Sequence, residues 1–144
     1  HPTIVHIGDA SAEEDYVLGA LGWASTKKLP MLFVVEDNNL SILTEKKVRR
    51  NWEMSDVAEA FQMRGLDIKD DPIEIKNALE NVFEDGPLLL NINTIRKWWH
   101  SGAGVDGEYF DRYEHEMEQL NTYNIHESTK KEVEKIWQRQ LEIQ

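Results

Sequence analysis

An aspartate closes the apolar run at Ile7-Gly8-Asp9, and an aspartate with two asparagines closes the next run at Asp37-Asn38-Asn39. In an open parallel sheet, ligands gather beyond the carboxyl ends of the strands, where loops rather than packed side chains line the space. Two strands lying near one another would bring the Asp9 carboxylate and an amide oxygen of Asn38 or Asn39 to one point. With a backbone carbonyl from the turn beyond, these form an all-oxygen set suited to a hard cation such as magnesium, which keeps further ligands from water and phosphate. A helical pattern starting near Ala12 adds orphan N–H groups and a positive dipole end beside Asp9, a seat for a phosphate oxygen. Taken singly, a strand-end aspartate reads as a helix cap and an Asn-Asn pair as a turn. The two together, one helix and one strand apart, point to a site.

The elements that must hold these residues are legible from periodicity. Ile4–Ile7, Met31–Val35, Leu66–Ile68 and Leu88–Asn93 read as strands, and none has the polar alternation of a half-exposed sheet. Ala12, Tyr16, Val17, Ala20, Leu21 and Ala24 recur at helical spacing, as do Val57, Ala60, Phe61 and Arg64 before Gly65, and Ile73, Ile75, Leu79, Val82 and Phe83 after Pro72. Strands alternating with helices predict an α/β fold, a parallel sheet with helices on both faces. Residues 95–107 carry three glycines, two tryptophans and a histidine without period and read as a long loop. Beyond it, helices are expected from Glu108 to Leu120 and from about Thr129, with Thr129 and Glu132 as a capping box. The organisation expected is a domain over 1–107 and a helical C-terminal tail over 108–144, packed on that domain or on a partner.

Composition narrows the partners. With 27 acids against 16 bases the net charge is −11, which repels a phosphate backbone or an anionic surface, so neither nucleic acid nor a membrane is expected. The longest clean apolar run, Met31–Val35, is far short of the roughly 20 residues of a membrane helix. There is no cysteine, which removes thiolate metal sites and cysteine nucleophiles. Lys46-Lys47-Val48-Arg49-Arg50 is the one basic cluster and reads as a solvated loop by default, able to meet an acidic carrier domain or a cofactor phosphate. A first residue of His1 rather than Met reads as a piece of a longer chain.

The stretch IGDASAEEDYVLGALGWASTKKLPMLFVVEDNN resembles the thiamin diphosphate motif, GDG followed some thirty residues later by NN, in the version carried by α subunits of 2-oxo acid dehydrogenase first components. The likeness continues through SDVAEAFQMRG, GPLLLNINTIR and HSGAGVD into the helical tail. It covers the second half of an α subunit's diphosphate-binding domain, so the N-terminal half is expected elsewhere.

What the resemblance implies is specific. Asp9 would hold magnesium through its carboxylate, Asn38 through its side-chain oxygen, the register being set by counting from Pro30, and Leu40 through its backbone carbonyl. Ala10 and Ser11 would offer N–H groups to the diphosphate. His100 would sit by the diphosphate and the substrate entrance as a catalytic group. Ser101 falls at a position phosphorylated in some members but reads better as a loop serine. Ala10 replaces the third glycine of the motif and Leu40 an aromatic residue; a Cβ at Ala10 could hinder phosphate approach unless φ stays negative. Trp98 and Trp99 read as packing on a partner rather than narrowing the entrance. A partner β-type chain or domain would supply the glutamate that activates the cofactor, a lipoyl carrier could receive the acyl group, and a heterotetramer is the usual form. This chain alone would then be inactive. The implied location is cytoplasmic, or the mitochondrial matrix in a eukaryote. A transketolase-like ketol-transfer enzyme and a non-catalytic assembly domain of the same fold are the alternatives.

Overall fold

The computed structural model describes residues 1–98, 100 and 110–142. Its contacts fall into two compact units, His1–Tyr109 and Phe110–Gln144.

The first unit is built on strands β1 (Thr3–Gly8), β2 (Met31–Asp37), β5 (Arg64–Lys69) and β6 (Leu88–Asn93), in the spatial order β1-β2-β6-β5 with every pairing parallel. A two-stranded hairpin, β3 (Leu40–Ser41) and β4 (Thr44–Glu45), follows β2. Helices α1 (Asp15–Lys27), α2 (Lys46–Arg49), α3 (Met54–Ala60) and α4 (Pro72–Ala78) fill the connections.

Alternation along β2 assigns the two faces. Phe33 and Val35, with Leu89 of β6, pack against Val17, Leu21 and Ala24 of α1 and Met54 and Ala58 of α3. Leu32 and Val34, with Leu88, Leu90 and Ile92, pack on the opposite side against Ile75, Ala78 and Leu79. Helices therefore cover both faces, as the uninterrupted apolar strands predict. Burial of the larger of these side chains, each contributing about 1.5–3 kcal/mol when fully buried, is what holds the sheet. Among the described residues no helix covers the second face of β1, where Ile4 is 57% exposed.

Several local expectations need correction. The helical pattern near Ala12 is broken: Ser11–Glu13 is a single 3₁₀ turn, Glu14 is extended, and α1 starts only at Asp15. The dipole end beside Asp9 thus belongs to one turn rather than a full helix. Arg64 opens β5 instead of closing a helix, because Phe61 ends α3 and Gln62 turns with φ +60°. Pro72 does sit at a helix start, with Asp71 accepting from the N–H groups of Ile73 and Glu74, but α4 ends at Ala78, and Val82 and Phe83 pack from the turn beyond it.

The second unit contains α5 (Arg112–Leu120) and α6 (Tyr123–Glu142). α5 begins later than the periodicity suggests because Asp111 caps it, accepting from Glu114 N–H at 3.0 Å. Thr129 lies inside α6, so the expected capping box does not form; the chain reverses at Asn121 in the left-handed conformation, and Thr122 C=O accepts the first helical bonds. Among the described residues no helix is long and apolar enough to cross a membrane.

Candidate functional site

Parallel register lines up the strand tips. Ile7 pairs with Val35, Gly8 with Glu36, and Asp37 with Asn93. The backbone continues this alignment past the strands, as Asp9 N–H donates to Glu36 C=O at 3.2 Å and Thr94 N–H to Asp37 C=O at 2.8 Å. Over this edge lies a cavity of about 670 Å³. Asp9, Ala10, Ser11, Asn38, Leu40 and His100 all line it. Ser101 lies outside the described residues, as does Trp99.

Two adjacent asparagines face differently. Asn38 lines the cavity, and its Oδ1 accepts the Leu40 N–H at 3.0 Å, an Asx turn that holds both residues. Asn39 is exposed with φ +65°, and its own N–H donates to Asp37 Oδ1 at 2.9 Å. The left-handed conformation, which asparagine tolerates, sends the chain back into the β3–β4 hairpin.

The basic cluster is not a solvated loop. Lys46, Arg49 and Arg50 recur at i, i+3 and i+4 and project to one side of α2 and its last turn, while Val48 between them is 72% exposed. Lys46 Nζ lies 2.6 Å from Asp37 Oδ2 and 2.9 Å from Glu53 Oε2. Arg49 spans two acids: Nη2 pairs with Asp9 Oδ2, and Nη1 lies 2.6 Å from Glu13 Oε1. Arg50 donates to the Asp9 carbonyl and to Glu13 Oε1, each at 3.1 Å, and its guanidinium carbon lies 5.0 Å from the Trp52 ring centroid. Asp9, only 3% exposed, is therefore a buried and paired carboxylate.

Burial pushes the Asp37 carboxyl up, but hydrogen bonds from Lys46, the Asn39 N–H and Asn91, with the Lys46 charge, outweigh it and hold the carboxyl below its ordinary range. Burial likewise lowers Lys46, and its bonds to Asp37 and Glu53 reverse this and raise it. Asn91, fully buried in β6, donates to Asp67 Oδ1 at 2.8 Å and reaches Asp37 Oδ2 at 3.4 Å, joining the tips of β2 and β5.

Among the described residues no three histidine, aspartate or glutamate side chains gather for a metal. A hard cation sharing its shell with phosphate and water needs fewer. The Asp9 carboxylate, the Asn38 amide oxygen and the Leu40 carbonyl belong to residues lining one cavity, and Arg49 takes only one Asp9 oxygen, so the donor chemistry fits such an ion. Ala10 has φ −72° and ψ −37°, so its Cβ imposes no backbone strain, and the first N–H groups of the 3₁₀ turn lie beyond that turn's own bonds. Sequence reasoning missed Arg96, which lines the cavity and donates to Ile42 C=O at 2.9 Å. A cation three residues past the end of β6, at the same edge as Asp9, was the available signal.

A parallel α/β sheet with a cavity over its carboxyl edge, lined by polar and apolar side chains alike, defines the class. The model of one such family, described as dehydrogenase E1 component, matches residues 1–138, and the chain belongs to that family. It is 30% identical over 104 residues to the pyruvate dehydrogenase E1 component subunit alpha of Rickettsia bellii, covering 66% of this chain and 31% of that protein. It is 31% identical over 119 residues to the 2-oxoisovalerate dehydrogenase subunit alpha of Bacillus subtilis, covering 76% and 36%. The chain thus spans about a third of the length of these curated relatives. Among solved structures, transketolase from Campylobacter jejuni superposes with a TM-score of 0.58 at 27% identity, over 67% of this chain and 16% of that one. Transketolase from Leishmania mexicana, with a TM-score of 0.54 at 19% identity over 65% and 15%, shares the fold.

Proposed function

We propose that this chain is the diphosphate- and magnesium-binding part of a thiamin diphosphate-dependent 2-oxo acid dehydrogenase α subunit, an oxidoreductase that decarboxylates its substrate and passes on the acyl group. The observation that carries the reading is the meeting of Asp9, Ser11, Asn38, Leu40 and His100 around one cavity in a chain of the dehydrogenase E1 family. Asp9, Asn38 and the Leu40 carbonyl would hold the ion. The N–H groups of Ala10 and Ser11, with Arg96, would face the diphosphate, since backbone donors and a guanidinium suit phosphate oxygens.

When bound, the cofactor supplies a nucleophilic carbon and an electron sink for loss of carbon dioxide from a 2-oxo acid. The residues of this chain anchor and orient. His100, an exposed residue lining the cavity, would move a proton at the substrate entrance. A β-type chain or domain would supply the activating glutamate, a lipoyl carrier would take the acyl group, and assembly would be heterotetrameric. The proposed location is cytoplasmic, or the mitochondrial matrix in a eukaryote.

The transketolase neighbours support a second reading, ketol transfer from the same half-site. For an assembly domain of the same fold the Ala10 methyl would have to block the phosphate, since a negative φ there leaves no backbone strain to do so.

Calorimetry of the full-length protein with thiamin diphosphate, with and without magnesium, tests the binding reading. Metal-dependent heat is expected, and its absence favours an assembly domain. With the partner chain supplied, carbon dioxide release from 2-oxo acids is the expected activity; a ketol-transfer product would transfer the assignment to the second reading.

A further inference from the structure

Arg49 occupies a position the proposed function does not use. Its guanidinium bridges two carboxylates, Asp9 through Nη2 and Glu13 through Nη1, while Arg50 holds Glu13 and the Asp9 carbonyl from the same side. The pairing is largely shielded from water, with the Arg49 side chain 13% exposed and that of Asp9 4%. In such surroundings a fixed positive charge interacts far more strongly than in bulk solvent.

We infer that Arg49 competes with an incoming divalent cation for the Asp9 carboxylate, and that Glu13 sets the outcome by offering the guanidinium a second partner. The inference rests on the reading of Asp9 as a cation ligand. A carboxylate already paired with a guanidinium presents less negative charge, and a divalent ion at Asp9 meets repulsion from Arg49. Glu13 relieves this by taking a share of the guanidinium charge, which leaves more of the Asp9 charge for the ion. Arg49 and Glu13 are positioning residues, acting through Asp9 and touching neither cofactor nor substrate.

Binding of Mn²⁺ to the full-length protein, followed by the electron paramagnetic resonance signal of the free ion, separates the possibilities without any need for turnover. Arg49→Met should tighten Mn²⁺ binding about tenfold and Glu13→Gln should weaken it by a similar factor, a coupling in the usual range between interacting sites. Arg49→Lys, which restores a cation, should return affinity toward that of the parent. A purely structural role for Arg49 would loosen the site in Arg49→Met, never tighten it. Asp9→Asn separates this inference from the function beneath it. Unchanged Mn²⁺ affinity in Asp9→Asn removes the metal assignment itself. Loss of affinity in Asp9→Asn, with unchanged or weakened binding in Arg49→Met, overturns the competition and leaves the metal assignment standing. If Arg49→Met does not fold by circular dichroism, Arg49→Gln, which removes the charge and keeps a polar side chain, decides: tighter Mn²⁺ binding supports the competition, and equal or weaker binding overturns it.

Discussion

Lys46 Nζ sits 2.6 Å from Asp37 Oδ2, joining the helical turn α2 to the tip of β2, with the Asp37 side chain only 1% exposed. Removing the cation from such a pair leaves a buried charge held closely by the Asn39 N–H alone among the described residues, because Arg50 Nη2 is 3.7 Å away and Asn91 3.4 Å. Lys46→Met keeps most of the apolar stem and should cost about 3 kcal/mol at neutral pH. The loss depends on pH in a definite direction. Asp37 is held below its ordinary 3.8, so its contribution is present above that value and fades as pH falls through the depressed folded value. Lys46 is held above its ordinary 10.5, so its contribution is present below that value and fades as pH rises through the raised folded one. Urea midpoints of parent and variant should differ most between these limits and converge at both extremes; a difference constant with pH would contradict the ion-pair account.

Gly65 opens the path of β5 beneath α3, and an added Cβ would stand 2.3 Å from the Ser55 carbonyl oxygen. That oxygen belongs to helix backbone and cannot rotate away. Gly65→Ala should therefore destabilise by about 1–3 kcal/mol, as overpacking does. Gly19 offers the opposite case, since it lies inside α1 with no heavy atom within 4 Å of the same added carbon. Gly19→Ala should stabilise by about 0.5–1 kcal/mol through helix propensity alone. Opposite shifts of the two denaturation midpoints are the expected result.

Tyr123 donates to Glu114 Oε1 at 2.8 Å, a bond from the start of α6 back to α5. That bond to a carboxylate, ahead of smaller effects of burial and the charges of Glu114 and Glu118, pushes the phenol up to about 12. Of four tyrosines in the chain, one should ionise well after ordinary phenols in an ultraviolet pH titration. Glu114→Gln removes the charge and should bring that step back toward 10. A titration unaltered by the substitution would place the delayed phenol elsewhere.

Apolar pattern made the sheet and its flanking helices readable, because strands buried on both faces leave continuous runs such as Met31–Val35 and helices leave three- and four-residue spacing. The spacing of Asp9 and Asn38 was readable because strand ends punctuate those runs. What escaped depended on partners distant in sequence. Lys46, Arg49 and Arg50 look like any charged surface run until the β3–β4 hairpin turns them over Asp37 and Asp9, nine and forty residues away. The pattern near Ala12 reads as helix because alanines and glutamates favour one, while the extended Glu14 interrupts it. Thr129 offered a capping signature that α6 overrode, since the turn at Asn121 starts the helix earlier.

Ala10, the alanine in place of the third motif glycine, is the departure that most threatens cofactor binding. Glycine matters in a phosphate-binding turn for two separable reasons, access to positive φ and close backbone approach. At Ala10 the first reason is void, because φ is −72° and any residue adopts it without strain. Only approach remains, and a single methyl on a half-buried residue at the cavity edge is a small obstacle. Ala10→Gly should therefore leave thiamin diphosphate affinity within about threefold of the parent, and should cost up to about 1 kcal/mol of stability from the greater freedom of the unfolded chain. Calorimetry on the full-length pair measures both. Tightening by an order of magnitude or more would mean that the methyl group blocks the phosphate.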